Sequence, residues 1–145
     1  MFELDSRLAA DCELLASLPL CELLLMNDAS YPWLILVPRR EALRELCELG
    51  SEDTVQFQIG SNAISKLLLA EFAAEKLNVA ALGNLVPQLH IHHIARFEAD
   101  PAWPRPVWGV KAAVPYTQDV MRDIVKGIRR VLPDLLSGEI DWRAD

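Results

Sequence analysis

Pro87-Gln88-Leu89-His90-Ile91-His92-His93-Ile94-Ala95-Arg96 holds all three histidines of the 145-residue chain. Leu89, Ile91, His93 and Ala95 alternate with Gln88, His90, His92 and Ile94, the pattern of a β-strand. Alternate residues of a strand share a face. Gln88, His90 and His92 should therefore form one polar row, with His93 pointing the other way. Two imidazoles beside an amide on an otherwise apolar strand mark the expected active centre.

Such a row supports three readings. A neutral imidazole held in one tautomer can attack phosphorus and form a covalent intermediate. A second histidine two residues on lies ~6–7 Å along the same face, where it can bind phosphate or manage a proton, and the Gln88 amide can donate to an anionic oxygen. Alternatively, His-x-His supplies two ligands to zinc or iron; with no histidine elsewhere, the third ligand would be a distant carboxylate or cysteine. In the third reading the histidines are hydrogen-bonded structural residues, which is the expectation for His93.

Outward from this stretch, Gly83-Asn84 is a turn signal and Leu77 to Leu82 reads as another strand. Further upstream, Leu23-Leu24-Leu25-Met26 and Trp33-Leu34-Ile35-Leu36-Val37 flank the polar turn Asn27-Asp28-Ala29-Ser30, an antiparallel hairpin closed by Pro38. Leu8, Cys12 and Leu15 form an apolar stripe that predicts a first helix, capped by Asp5 and ended by Pro19. Leu43, Leu46 and Cys47 suggest a short helix ending at Gly50. Ser51 should then cap a long helix from about 52 to 76, with Val55, Ile59, Ala63 and Leu67 in one apolar row and Ile64, Leu68 and Phe72 in the next. After the histidine strand, residues 98–109 read as a loop anchored by Trp103 and Trp108, and Val110 to Val114 as a last short strand. Thr117 caps a final helix with the stripe Val120, Ile124, Ile128, Val131 and Leu135, kinked or ended by Pro133. The acidic tail, 139–145, should be partly loose, with Ile140 and Trp142 as anchors.

Composition agrees with one folded domain spanning residues 1–145: 52% of residues are hydrophobic and 24% charged. A net charge of −7 argues against nucleic acid or an anionic membrane as the main partner. Cys12, Cys21 and Cys47 are odd in number and form no CxxC pair; without a secretory-type leader, reduced, buried thiols in a cytoplasmic protein are expected. No apolar run approaches the ~18–20 residues of a membrane span. Strands with intervening helices and hairpin-length turns predict an α+β fold.

Gln88-Leu89-His90-Ile91-His92-His93-Ile94 resembles the histidine-triad (HIT) motif, His-φ-His-φ-His-φ-φ with φ hydrophobic. Asn78, Gly83 and Asn84 resemble that family's Asn…Gly-Gln approach to the triad, and Leu25 to Asp28 with Pro32 to Pro38 its early hairpin. The likeness covers about residues 20 to 97, followed by a C-terminal loop and helix (98–136) and the acidic tail (137–145). It implies a five-stranded antiparallel sheet with flanking helices, commonly in a homodimer. It also implies a nucleotide hydrolase or nucleotidyl transferase acting at the α-phosphate of nucleoside phosphoramidates or dinucleoside polyphosphates, with no resident metal or cofactor.

Carried over by position, His90 matches the nucleophile that becomes nucleotidylated and His92 the third histidine beside the phosphate. Asn27 falls at the ribose contact and Asn84 at a phosphate-contacting glutamine; Asn78 and Trp33 complete the expected nucleotide site. The chain departs from the motif at Gln88, in place of the first histidine, and at Trp33, in place of a hairpin histidine. The two changes read as one coordinated replacement. Leu85 stands where a small polar residue is usual, and His93 where the motif wants a hydrophobic residue. Weakened turnover, or a non-catalytic nucleotide-binding module, is the alternative these departures raise.

Overall fold

The computed structural model describes residues 1–143. In chain order they form α1 (Ser6–Asp11), β1 (Cys12–Ser17), β2 (Cys21–Met26), β3 (Trp33–Pro38), α2 (Ser51–Glu71), β4 (Lys76–Ala80), β5 (Ile91–Arg96), α3 (Gln118–Leu135) and β6 (Asp141–Trp142). All pairings are antiparallel, in one six-stranded sheet ordered β4-β5-β3-β2-β1-β6. The α+β architecture is as expected, with one strand more than the expected five.

The predicted hairpin is β2 and β3, and the histidine strand lies between β3 and β4, with Ile35 opposite His92 and Leu34 opposite His93. Period-2 alternation sorts this central sheet onto two faces. Leu23, Leu25, Leu34, Leu36, Ile91 and Ala95 meet α2 and α3 in the main core. Leu24, Trp33, Ile35, Val37 and Ile94 face the other way, covered by Tyr31, Ala102 and Val107.

Three expectations are corrected. The first helix stops at Asp11, and Cys12 to Ser17 is an edge-side strand, so Leu15 belongs to β1. The register of β1 on β2 shifts between Leu14 and Ala16, a bulge that turns both Leu15 and Ala16 into the main core. Val110 to Val114 forms no strand; the segment is irregular, tied down by Ala29 N–H donating to the Val114 carbonyl at 2.6 Å. The tail is anchored: Asp141 and Trp142 pair with Ser17 and Ala16 as β6, with Ile140 and Trp142 packed on the core. Ala144 and Asp145, at its end, lie outside the described residues.

α2 begins with Gly50 at the cap position and ends at Glu71, five residues earlier than expected. Ala63, Ile64, Leu67 and Leu68 are buried as predicted, but Val55 and Ile59 are 61% and 45% exposed. Phe57, Gly60 and Ser61 take the inward positions instead. Thr117 caps α3, its hydroxyl accepting from Val120 N–H. Pro133 brings no N–H to the helix, and α3 ends two residues later, at Leu135. No helix among the described residues is long and apolar enough to cross a membrane.

The loop after β5 is organised by Arg96, which is 1% exposed. Its guanidinium meets both oxygens of Asp100, at 2.8 and 3.1 Å, and donates to the Arg105 carbonyl at 2.7 Å. Burial alone would raise the Asp100 carboxyl. Arg96 and the N–H groups of Phe97, Ala102 and Trp103 outweigh burial and hold it at about 2. Asp100→Asn leaves the guanidinium buried without its counter-charge, so it should cost about 3–5 kcal/mol in denaturant unfolding. A loss under about 1 kcal/mol would mean that the pair does not organise the loop.

Candidate functional site

His92 and His90 stand at the start of β5, their ring centroids 4.9 Å apart and perpendicular. The strand itself begins at Ile91, so His90 and Gln88 belong to the segment leading into it.

The hydrogen bonds fix the tautomers. Trp33 Nε1–H donates to His92 Nδ1 at 3.0 Å. An indole nitrogen only donates, so this imidazole nitrogen carries no proton. The proton sits on His92 Nε2 and goes to the Leu82 carbonyl, also at 3.0 Å. His90 Nδ1 lies 2.7 Å from the Gln88 carbonyl, which only accepts, so Nδ1 holds a proton, and in the neutral ring Nε2 keeps a lone pair. His90 Nε2 has no hydrogen-bond partner among the described residues, where Tyr31 Oη is the one fully buried polar side-chain atom left unpaired. The lone pair therefore faces space that solvent reaches.

Gly83 completes the seat of His90. A Cβ at Gly83 would come within 2.6 Å of the Val86 carbonyl and 3.0 Å of the His90 ring. The glycine lets the turn close against the imidazole. Because the neighbouring Leu82 carbonyl is held by His92, one histidine positions the loop that positions the other.

His90, Gly83, Asn84 and Arg44 line a cleft of about 180 Å³. Asn27, Trp33, Trp108 and Lys111 line a second, of about 460 Å³. Trp33, His92 and Trp108 pack on one another, with ring centroids 5.1 to 5.9 Å apart, and His92 packs in turn on His90. The expected nucleotide-site residues are thus divided. Asn84 is exposed beside His90. Asn27 Oδ1 accepts from Tyr116 N–H at 2.9 Å and lies in the second cleft with Trp33. Asn78 lines neither: its Oδ1 accepts from Arg96 at 2.6 Å. Leu85 projects into solvent, 82% exposed.

Gln88, expected at the phosphate, has both ends of its amide engaged. Oε1 accepts from Asp5 N–H at 2.9 Å and Nε2 donates to the Glu3 carbonyl at 2.8 Å. The side chain staples the N-terminal segment to the approach of β5. Trp33 and Gln88 therefore have separate partners, His92 and residues 3–5, rather than acting as one replacement.

His93 faces α2, as expected for a structural residue. Its Nδ1–H donates to the Ile91 carbonyl at 3.0 Å, and Nε2 accepts from the Ser61 hydroxyl at 2.8 Å. No three His, Cys, Asp or Glu side chains gather as metal ligands among the described residues, so His90 and His92 lack the third ligand a metal centre needs.

Arg44 was not singled out in the sequence. It is exposed and lines the His90 cleft; its backbone N–H donates to Glu48 Oε1 at 3.0 Å, and its guanidinium has no partner among the described residues. The only available signal was the chain reversal at Pro38, which returns residues 41–45 towards the start of β5.

Comparison with known families places these features. The model of the HIT domain matches residues 7–99. A histidine triad protein from Marinobacter aquaeolei VT8 has a solved structure 47% identical to this chain, with a TM-score of 0.90, covering 93% of this chain and 98% of its own. A histidine triad protein from Bradyrhizobium japonicum is 42% identical, with a TM-score of 0.88 and coverage of 90% and 98%. One from Sinorhizobium meliloti 1021 is 43% identical, with a TM-score of 0.87 and coverage of 90% and 96%. A comparison with curated protein sequences returns no match. The chain belongs to the HIT family, whose members bind nucleotides and are generally hydrolases or transferases.

Burial pushes both His92 and His93 down from 6.5 to about 4; the neighbouring imidazoles add to this for His92, against the opposing bonds to Leu82 and Ile91. Between these values the unfolded chain binds protons that the folded one refuses. The stabilisation is complete above about 6.5 and is lost as pH falls towards 4, at most about 3 kcal/mol per histidine. Thermal melts should show Tm falling steadily through that window. A Tm flat down to about pH 5 would mean that these rings are not held neutral by the fold.

Proposed function

We propose that the protein transfers or hydrolyses a nucleotidyl group through a covalent intermediate on His90. The observation that carries this reading is the free Nε2 lone pair, with the ring proton fixed on the far nitrogen by the Gln88 carbonyl. Nε2 attacks the α-phosphorus of a nucleoside phosphoramidate or dinucleoside polyphosphate. An N–P bond forms, and the bond to the leaving group breaks with its electron pair going to that group. Water or another acceptor then attacks phosphorus and returns the pair to Nε2.

His92 serves as a neutral brace, since both of its ring nitrogens are already bonded. Asn84 donates to the phosphate beside His90, and the cleft lined by Asn27, Trp33 and Trp108 receives the nucleoside. Gln88 and Asn78 act on the scaffold, through the N-terminal segment and Arg96 respectively. Cys12 and Cys21 are buried, their thiols pushed up to about 12 by burial, whereas Cys47, expected buried, is exposed; the unpaired thiols suit a reducing cytoplasmic setting.

Intact-protein mass spectrometry after brief incubation with adenosine phosphoramidate should find a nucleotidyl mass on the wild type and none on His90→Ala. An adduct surviving in His90→Ala would overturn the assignment of the nucleophile. The second reading, a binding module without turnover, draws on the same bonds, because both ring nitrogens of His92 are engaged and the Gln88 amide is turned to residues 3 and 5. Tight nucleotide monophosphate binding with neither adduct nor turnover would establish it instead.

A homodimer is the further element of this proposal. Val55, Ile59 and Leu69 form an exposed apolar stripe on α2. Val79, half exposed on the edge strand β4, sits opposite His93 and so on the α2 side of the sheet. An apolar stripe beside an unpaired strand edge suits a second copy of the chain. Val79→Glu should convert a dimer to monomer in light scattering; a wild type that is monomeric at high concentration contradicts this element.

A further inference from the structure

A groove of about 540 Å³ runs between β1 and α3 and shares no residue with either cleft of the candidate site. Its floor is apolar, with Leu15 buried and Leu14, Met121 and Val125 half-buried. Its rim carries Arg122, Lys126 and Arg129 from α3 and Arg143 from beyond β6. Glu13 is the one carboxylate that lines it among the described residues. In a chain of net charge −7 this is a local reversal of sign.

The cations differ in what already holds them. Arg143 is taken up by Ser17, Glu22 and Asp141, and Arg129 lies over the Trp142 ring. Arg122 meets Asp119 at 3.3 Å with both side chains exposed, a pair that water and salt make weak. The exposed Lys126 ammonium has no hydrogen bond or ion pair among the described residues.

The groove also follows a strand edge. Successive residues of a strand point to opposite faces, yet Glu13, Leu14 and Leu15 all line it, so it is reached along the β1 backbone. β2 pairs with β1 from Cys12 to Ser17. On the other side β6 covers only Ala16 and Ser17, and Arg143 N–H donates to the Leu15 carbonyl. Among the described residues no strand pairs with Cys12 to Leu14 on that side. An unpaired edge accepts an extended chain as a further strand. Arg122 and Lys126 stand four residues apart, ~6 Å along the helix, close to the ~6.6 Å between alternate residues of a strand. No aromatic side chain lines the groove among the described residues, as base stacking on single-stranded nucleic acid would need.

We propose that this groove docks an acidic, extended segment of a partner protein, added to the edge of β1 in line with β6. Its alternate carboxylates meet Arg122 and Lys126, and the apolar side chains between them cover Leu14, Met121 and Val125.

Fluorescence anisotropy on the full chain tests this with a labelled peptide of alternating glutamate and valine, about eight residues long. The wild type should bind it with a Kd below about 1 mM. Lys126→Glu, on the exposed face of α3, should weaken binding about fivefold or more at low salt. Lys76→Glu, on β4 at the opposite edge of the sheet, changes the net charge equally and should leave Kd within about twofold. Every second N–H of an added strand faces its neighbour. Backbone N-methylation of either all the glutamates or all the valines should therefore abolish binding, and methylation of the other set should spare it. The proposal is overturned by a Kd above about 1 mM, by equal losses in Lys126→Glu and Lys76→Glu, or by equal effects of the two methylations. A labelled oligothymidylate that binds more tightly than the peptide, and loses affinity in Lys126→Glu, would overturn it in favour of a nucleic-acid groove.

Discussion

The imidazole of His92 is bonded at both nitrogens, and the geometry of the site depends on that restraint. The indole of Trp33 occupies one lone pair and the Leu82 carbonyl takes the one proton. A ring held this way is neutral, cannot rotate, and ties β3 to the turn before β5. That turn carries Gly83, whose missing side chain leaves room for the His90 ring. Two hydrogen bonds of ordinary strength, one buried and one part-buried, each worth about 1 kcal/mol net, thereby brace the turn against which the His90 imidazole is seated. Their larger effect is negative: a charged His92 would lose the Trp33 bond and stand desolvated beside two other imidazoles.

The sheet makes this arrangement possible. Alternation along β5 sends His92, Ile94 and Arg96 to one face and Ile91, His93 and Ala95 to the other. The helix side buries its histidine against Ser61 and supplies most of the core. The opposite side carries the polar work, in which Arg96 and Asp100 hold the long loop that brings Trp108 onto His92. β5 therefore sends His93 to the helix face and His92 to the opposite face, where His92 packs on His90 from the segment before it.

Much of this was legible before any coordinates. The β2–β3 hairpin, the histidine strand, the caps of α1 and α3 and the opposite orientation of His93 follow from period and turn chemistry. The failures have specific causes. Leu8, Cys12 and Leu15 mimic a helical stripe because α1 runs directly into a bulged strand, and the bulge turns Leu15 inward out of phase. Val55 and Ile59 look like core by period, yet Phe57, Gly60 and Ser61 define the face that meets the sheet. β6 is two residues long and has no period to read. At the site, the employment of Gln88 and Asn78 depends on partners 83 to 85 and 18 positions away, which local pattern cannot supply. Arg44 was hidden for the same reason: nothing around it in sequence resembles a motif, and its meaning comes from the His90 cleft it lines.

The most direct test of this account is the proton inventory itself. Long-range proton–nitrogen correlation NMR on the wild-type protein near neutral pH distinguishes the two tautomers of each imidazole. The account predicts His90 protonated at Nδ1 with a bare Nε2, and His92 neutral and protonated at Nε2. A proton on His90 Nε2, or a His92 ring that is charged or protonated at Nδ1, would contradict it.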